Sequence, residues 1–322
     1  MGKKKHINKN LKVCFFGTSD RSVPILESLK NNLDLKLYIT KKDTLFGRKQ
    51  ILKTTEVKRW ARTNNISIYE LNTLSDKVAL DLIHTLNLQK IEYGIVTDFS
   101  FILPETLINH FDKKLINIHF SLLPKYRGAS PLQFAIKNGD KKTGISFQLV
   151  DRKMDKGPIL YQYEYNIPDN NTSGEVYDSM FRVTSEILPQ VLNDYSFGNL
   201  QLKEQNEAEA TYTYSSSHPK NTLIYKEDGK IDWNMSPKQI HNFARAYNPW
   251  PISWTTLDEF EKGYLEPQGF CLKNHIKKQL ALKIYRTELN EKDKLNILEL
   301  QIEGKKKTKW PDFVNGYIEI RG

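Results

Sequence analysis

The hydrophobic residues in the first half of the chain form short runs that alternate with helical patterns. Strand-like runs cover residues 11–16, 35–40, 91–97 and 116–119, and helical patterns cover residues 22–29, 56–63 and 76–86. Short buried strands that alternate with helices are typical of a mostly parallel sheet with helices on both faces. The first half therefore predicts an α/β domain with a Rossmann-like sheet.

The pattern changes in the second half. A polar stretch at residues 201–210 interrupts the apolar runs, as linkers between domains do. One helical pattern follows at residues 237–247, and short alternating runs lie at 252–256, 280–285, 296–301 and 317–320. Such runs are typical of a small β-barrel or sandwich. We therefore expect a larger domain over residues 1–200, a linker over 201–211 and a smaller, shortened β-barrel domain over 212–322.

The composition narrows the class of protein. The 322 residues include two cysteines, too few for a disulfide framework, and the sequence has no Cys and His cluster at the spacing of zinc ligands. The apolar run near the N-terminus is too short for a signal peptide or a membrane span. The turn at residues 17–20 lacks the glycine patterns that bind dinucleotides or nucleoside triphosphates. We expect a cytoplasmic protein without a metal and without a membrane anchor.

The charge favours a polyanionic partner. Lysine and arginine number 48 and the acidic residues 38, which leaves a net charge of +10. An excess of this size suits a nucleic acid, although it also suits simple solubility.

Polar side chains with catalytic chemistry follow the predicted strand at residues 116–119. Asn117 and His119 are two residues apart, so both project from the same face of the strand. Open α/β sheets bind ligands at the carboxyl ends of their strands, and an amide beside an imidazole can bind an oxyanion and move a proton. Asp151 and Asp155 follow a later strand, and their spacing leaves open which of them faces His119.

Five segments of the sequence resemble one known family. They are NIHFSLLPKYRGASP at residues 117–131, the DxxxDxG spacing of Asp151, Asp155 and Gly157, and the runs KEDGKIDW, RAYNPWPISW and LQIEGKK. Together they resemble the methionyl-tRNA formyltransferases over nearly the whole chain. SLLPxxRG alone marks any folate-dependent formyltransferase, whereas IDW, NPWP and the late GKK favour the tRNA-specific branch.

The resemblance implies transfer of a formyl group from 10-formyltetrahydrofolate to the amino group of methionine on initiator tRNA. By similarity, Asn117, His119 and Asp155 take the places of the catalytic triad. It further implies that no metal is needed and that the C-terminal domain is an OB-like barrel that binds tRNA, and we expect a monomer. The residues expected in the folate pocket are Ser121, Leu122, Leu123, Pro124, Asp98 and Phe99.

Residues 41–53 resemble the family's inserted loop that inspects the acceptor end of the tRNA. The loop has five cations around Leu45, Phe46 and Gly47, a mixture that suits phosphates and an unpaired base. The residues expected to contact tRNA are Lys41, Lys42, Arg48, Lys49 and Arg127.

Two departures from the family keep alternatives open. Phe120 stands where the family usually has a glycine, and Asp98-Phe99-Ser100 replaces a small residue, a tyrosine and a glycine. These changes motivate one alternative, a catalytically inactive protein that binds tRNA. A nucleotide-sugar amine formyltransferase and a formyltetrahydrofolate hydrolase are the enzymatic alternatives, because both would use the same catalytic residues.

Overall fold

The computed structural model describes residues 7–43, 45–46, 51–52 and 54–321 of the chain. The chain divides into two compact units, and each is assembled from three stretches. The first unit comprises Met1–Arg127, Gly144–Tyr165 and Asp178–Thr211, and the second comprises Gly128–Thr143, Asn166–Tyr177 and Tyr212–Gly322.

The first unit contains the larger sheet. Its described strands are β1 (Lys12–Phe16), β2 (Asp34–Lys41), β3 (Leu45–Phe46), β4 (Ile51–Leu52), β5 (Ser67–Leu71), β6 (Tyr93–Val96), β7 (Leu115–His119), β8 (Lys142–Leu149) and β9 (Ile159–Asn166). Among the described residues, seven of these strands form one sheet in the order β5-β2-β1-β6-β7-β8-β9, and β3 pairs with β4 as a separate antiparallel hairpin. The pairs from β5 to β7 are parallel, whereas β7 and β8 are antiparallel. The predicted mostly parallel sheet is confirmed.

The strands of this sheet are apolar because both of its faces are covered. Phe15 and Phe16 are neighbours in β1 and point to opposite faces, yet both are fully buried. The helices of this part of the sequence are α1 (Val23–Asn32), α2 (Glu56–Thr63), α3 (Asp76–Leu88), α4 (Glu105–Phe111), α5 (Pro131–Lys137) and α6 (Ser173–Ser196). Hydroxyl side chains begin two of them: Thr55 accepts a hydrogen bond from the backbone of Lys58, and Ser75 accepts one from Val78. The helices predicted at residues 56–63 and 76–86 are thus confirmed.

The second unit has a smaller antiparallel sheet. Its remaining elements are α7 (Pro237–Ala246), β10 (Ser253–Thr256), α8 (Leu257–Phe260), β11 (Phe270–Leu272), β12 (Ala281–Leu289), β13 (Leu295–Ile302), β14 (Thr308–Lys309), α9 (Trp310–Tyr317) and β15 (Ile318–Ile320). The order of the four-stranded sheet is β10-β12-β13-β14, and β11 pairs with β15. Phe260, Phe313 and Leu300 are fully buried in the core of this unit.

The closed OB-like barrel that the sequence predicts is not confirmed. Within residues 212–321, all of which are described, no pairing joins β14 to β10, so the sheet stays open. The reason is local: β14 has two residues, and the chain then enters α9, which contacts β13 and β14. Within the described residues, no helix combines the length and hydrophobicity that a membrane span requires.

Candidate active site

The end of β7 carries the two polar residues that the sequence singles out. Asn117 and His119 lie on one face of the strand, and in the antiparallel register with β8 they face Gln148 and Ser146. His119 is buried and Asn117 is partly exposed. The Nε2 atom of His119 lies 2.9 Å from the carbonyl oxygen of Tyr126, and since a carbonyl only accepts, Nε2 is the donor in this bond.

Asp155 completes a cluster with these two side chains. Its Oδ1 atom lies 3.5 Å from His119 Nδ1 and 3.4 Å from Asn117 Nδ2. Asp151 lies apart at the surface, where its carboxylate accepts a hydrogen bond from the backbone N–H of Lys153. The structure therefore selects Asp155 over Asp151 as the carboxylate that faces the imidazole.

The turn that presents Asp155 depends on unusual backbone positions. Asp155 has a φ of 54°, in the left-handed region that few side chains adopt. Two residues later, Gly157 packs directly on the backbone of β8, where a Cβ atom would lie 1.8 Å from the carbonyl oxygen of Leu149. Only glycine fits there, so the DxxxDxG spacing reflects the packing of this turn on the strand.

Two glutamines that the sequence analysis did not identify hold Asp155, one at its carboxylate and the other at its backbone. Gln148, which is 2% exposed, donates from Nε2 to Asp155 Oδ1 at 3.0 Å. Gln205 Nε2 lies 2.9 Å from the carbonyl oxygen of Asp155, 2.8 Å from that of Gly157 and 3.2 Å from Gln148 Oε1. A buried polar residue within the apolar run of β8 was a signal for Gln148. Gln205 lies in the polar stretch that resembles a linker, and nothing in that stretch pointed to it.

Arg127 connects the SLLPxxRG segment to the same group. Its buried guanidinium donates to Gln205 Oε1 at 2.9 Å and to both carboxylate oxygens of Glu207, at 2.7 and 3.1 Å. Hydrogen bonds from Arg127 and Lys156 lower the pKa of the Glu207 carboxyl to about 2. Arg127 was expected at the tRNA, but the structure places it among these groups, where it orients Gln205.

The backbone of the SLLP segment is held by side chains of β8 and β9. Ser146 Oγ donates to the Ser121 carbonyl at 2.6 Å and accepts from the Leu123 N–H at 3.1 Å. Gln162 Nε2 donates to the Leu123 carbonyl at 3.0 Å. Leu122 and Pro124 remain partly exposed. The segment is thus a fixed backbone beside His119, with apolar side chains available to a ligand.

Comparison with known proteins decides the family. Residues 10–192 match the formyl transferase family, and residues 223–318 match the formyl transferase C-terminal domain.

The chain belongs to the formyl transferase family.

Relatives that match along nearly the whole chain include methionyl-tRNA formyltransferases. The protein of that name from Staphylococcus epidermidis strain RP62A is 32% identical over 315 residues, which are 96% of this chain and 97% of the relative. Among solved structures, methionyl-tRNA formyltransferase from Clostridium thermocellum is 17% identical with a TM-score of 0.56, covering 91% of this chain and 98% of its own. An N-formyltransferase from Helicobacter canadensis, in complex with folinic acid and dTDP-3-aminofucose, is 22% identical with a TM-score of 0.56, covering 87% of this chain and 88% of its own. These two structures show that the fold is shared.

The unusual residues of this formyltransferase sequence are accommodated by packing. The ring of Phe120 is buried against that of Phe181 in α6, with 4.7 Å between the ring centroids. Phe99 packs edge-on against Phe16 at 5.5 Å. Asp98 has a φ of 46°, and its carbonyl oxygen accepts hydrogen bonds from the N–H and the hydroxyl of Thr18. Phe120 therefore points into the protein core, and Asp98 caps the end of β6.

The expected tRNA-contacting residues are only partly described. Lys41 and Lys42 are exposed at the end of β2. Arg48 and Lys49 lie outside the described residues. Among the described residues, no group of His, Cys, Asp and Glu side chains could hold a metal ion.

The Gln148 hydrogen bond gives a direct test of how the carboxylate is oriented. Gln148→Leu keeps most of the side-chain volume but removes the donor to Asp155. A buried hydrogen bond to a charged group contributes about 1.5–3 kcal/mol, so we expect kcat for formyl transfer to fall about 10- to 100-fold. Steady-state kinetics would measure this, with the exposed Gln201→Leu as the matched control. Equal kcat in both variants would show that Asp155 does not need Gln148.

Proposed function

We propose that this protein transfers the formyl group of 10-formyltetrahydrofolate to the amino group of methionine on initiator tRNA. One observation carries the proposal: Asn117, His119 and Asp155 meet at the strand ends of a chain whose full-length relatives are methionyl-tRNA formyltransferases. Two cysteines without a disulfide suit the cytoplasm, where translation begins.

The geometry supports a direct transfer through a tetrahedral intermediate. The neutral amine attacks the formyl carbon, a new C–N bond forms, and the carbonyl oxygen becomes an oxyanion. Asn117 Nδ2 is one donor for that oxyanion, and His119 becomes a second when its Nε2–H moves from the Tyr126 carbonyl to the oxyanion. Their common neighbour Asp155 orients the ring, because its Oδ1 atom lies 3.5 Å from His119 Nδ1.

The intermediate then collapses, and the number of protons gained equals the number lost. The bond between the carbon and N10 of the folate breaks, N10 takes up one proton, and the amine loses one. His119 is placed to supply the first proton, and Asp155 or a water to accept the second. These steps need no metal or redox change.

A folate donor fits the chemistry of the loop beside His119. The Helicobacter canadensis relative was crystallised with folinic acid, itself a formylated folate. In this chain we assign the donor to the region around Ser121, Leu122, Leu123, Pro124, Asp98 and Phe99, in which Ser121 and Leu123 are buried. The held backbone of the SLLP segment and its partly exposed Leu122 and Pro124 would contact the pterin ring.

A tRNA acceptor fits the charge of the chain. The net charge is +10, and residues 41–53 combine five cations with apolar residues. We assign the acceptor end to this segment through Lys41, Lys42, Arg48 and Lys49. We assign the body of the tRNA to the domain at residues 212–322, for which an OB-like arrangement is part of the proposal.

One assay tests the proposal against its alternatives. The wild-type protein is mixed with donor labelled in the formyl group and, separately, with methionyl initiator tRNA, a nucleotide-linked amino sugar, or no acceptor. We expect label in the tRNA alone. Label in the sugar would identify a sugar formyltransferase. Release of labelled formate would identify a hydrolase, and tRNA binding without transfer of label would identify an inactive tRNA-binding protein.

Arg48 is expected to contribute to tRNA binding through phosphate contacts. Each phosphate contact contributes about −0.7 to −0.9 to the slope of log affinity against log salt concentration. Arg48→Ala should therefore bind tRNA more weakly, with a slope smaller in magnitude by about one contact, while the KM for the folate donor is unchanged. Lys77→Ala, an exposed cation on α3, is the control. Identical salt slopes for Arg48→Ala and Lys77→Ala would show that Arg48 makes no phosphate contact and that residues 41–53 do not bind the tRNA through it.

A further inference from the structure

A buried lysine outside the active site has no part in the chemistry above. The side chain of Lys58 in α2 is 1% exposed, and its ammonium lies between two carboxylates. Nζ donates to Asp43 Oδ1 at 2.6 Å and also to Glu70 Oε1 of β5. Burying an ammonium is costly unless it is paired, so these two carboxylates are what make the position tolerable.

The residues on either side of the β3–β4 hairpin meet at the Asp43 carboxylate, which also binds this ammonium. Asp43 lies between β2 and the β3–β4 hairpin, and Thr54 lies between that hairpin and α2. The second oxygen of the same carboxylate, Asp43 Oδ2, accepts a hydrogen bond from Thr54 Oγ1 at 2.9 Å. One carboxylate therefore joins both ends of the hairpin and ties them to Lys58.

The charge on this carboxylate is maintained by its partners. Burial alone would raise the pKa of Asp43, but hydrogen bonds from Lys58 and Thr54 outweigh it and lower the pKa below its ordinary value. Asp43 is therefore ionised at neutral pH. Glu70 connects Lys58 to the larger sheet. It lies in β5 and pairs in register with Thr40 in β2, the residue directly before the basic segment at residues 41–53.

We propose that Lys58 is a positioning residue for the tRNA: through Asp43 and Thr54 it sets the base of the β3–β4 hairpin. This inference rests on the proposed function. A base that is already held in place has less conformational entropy to lose when the acceptor end binds. Lys58 thus acts on the affinity for tRNA and leaves the formyl-transfer step alone.

The test uses substitutions that loosen the base without a change in volume. In Asp43→Asn the charge is lost, and in Thr54→Val the hydroxyl is lost, whereas Thr54→Ser keeps it. We expect the KM for methionyl initiator tRNA to rise about tenfold in Asp43→Asn and about threefold in Thr54→Val, with Thr54→Ser like the wild type. The kcat and the KM for the donor should stay within about twofold in all three. Asp34→Asn, which removes a surface ion pair with Lys36 on β2, is the matched control.

The possible results separate this inference from the proposed function. An unchanged tRNA KM in Asp43→Asn and Thr54→Val, with Arg48→Ala still raising it, would overturn the role of Lys58 and leave the function intact. A fall in kcat of folded Thr54→Val at saturating tRNA would also overturn it. If Asp43→Asn does not fold, the comparison of the tRNA KM between Thr54→Val and Thr54→Ser tests the inference instead. Failure of the wild type to formylate tRNA would instead overturn the proposed function.

Discussion

Replacing His119 with alanine is expected to lower kcat for formyl transfer by about 10² to 10⁴, the usual size of an acid–base contribution. The imidazole is the group that can both donate to the oxyanion and supply a proton to N10. It lies between Asp155 and the Tyr126 carbonyl, and its Nε2–H would leave that carbonyl for the oxyanion. The affinity for tRNA should change little, because the ring lies buried at the end of β7. Single-turnover kinetics with labelled donor would separate the transfer step from binding.

The pair of aspartates supplies the control for this prediction. Asp155→Asn keeps the shape of the side chain but removes the charge beside His119, and we expect a loss of kcat in the same range of about 10² to 10⁴. Asp151→Asn should stay close to the wild type, because that carboxylate contacts the backbone of Lys153 at the surface. A large loss of kcat in Asp151→Asn, together with a nearly unchanged kcat in Asp155→Asn, would show that Asp151 and not Asp155 is the catalytic carboxylate.

Gly157→Ala is expected to have the second large effect, on stability and activity together. The added methyl would lie 1.8 Å from the Leu149 carbonyl oxygen and 2.8 Å from its carbon, and a strand backbone cannot move away as a side chain can. Overpacking of this kind costs about 3 kcal/mol, and relief of the clash would shift the turn that holds Asp155. We expect a lower midpoint of urea denaturation and a fall in kcat of at least about tenfold.

Gly316 is a matched control for this substitution. It lies in α9, and a Cβ at this position would meet no atom within 4 Å. Gly316→Ala should therefore leave the denaturation midpoint unchanged or raise it slightly, since alanine favours a helix over glycine by about 1 kcal/mol. Equal midpoints for Gly157→Ala and Gly316→Ala would mean that the turn relaxes freely, and the packing argument would then be wrong.

The two active-site residues on β7 show what local patterns can establish. A strand has a period of two, so the spacing of Asn117 and His119 is enough to place both on one face. The parallel sheet followed similarly from the order of strand and helix patterns, and helices such as Glu56–Thr63 formed where those patterns lay. The family resemblance then predicted the chemistry.

The open sheet of the second unit shows where local patterns stop. The alternating runs of β12 and β13 were visible in the sequence, but closure into a barrel depends on whether the last strand reaches the first. That outcome is set by the two-residue length of β14 and by the helix that follows it. Periodicity describes a strand's faces and says nothing about its partners.

The sequence by itself determined several of the strands and helices, the mostly parallel sheet and the candidates Asn117 and His119, because these depend on neighbours in the chain. Local spacing left the choice between Asp155 and Asp151 open, and the family resemblance favoured Asp155. Only the tertiary structure placed Asp155 beside His119, brought Gln148 to its carboxylate and Gln205 to its backbone carbonyl, and buried Arg127 beside them. Gln205 lies 50 residues from Asp155 in the chain. Hydrogen bonds over such separations follow from how the turn packs on β8 and from the need of every buried polar group for a partner, and neither is encoded in local spacing.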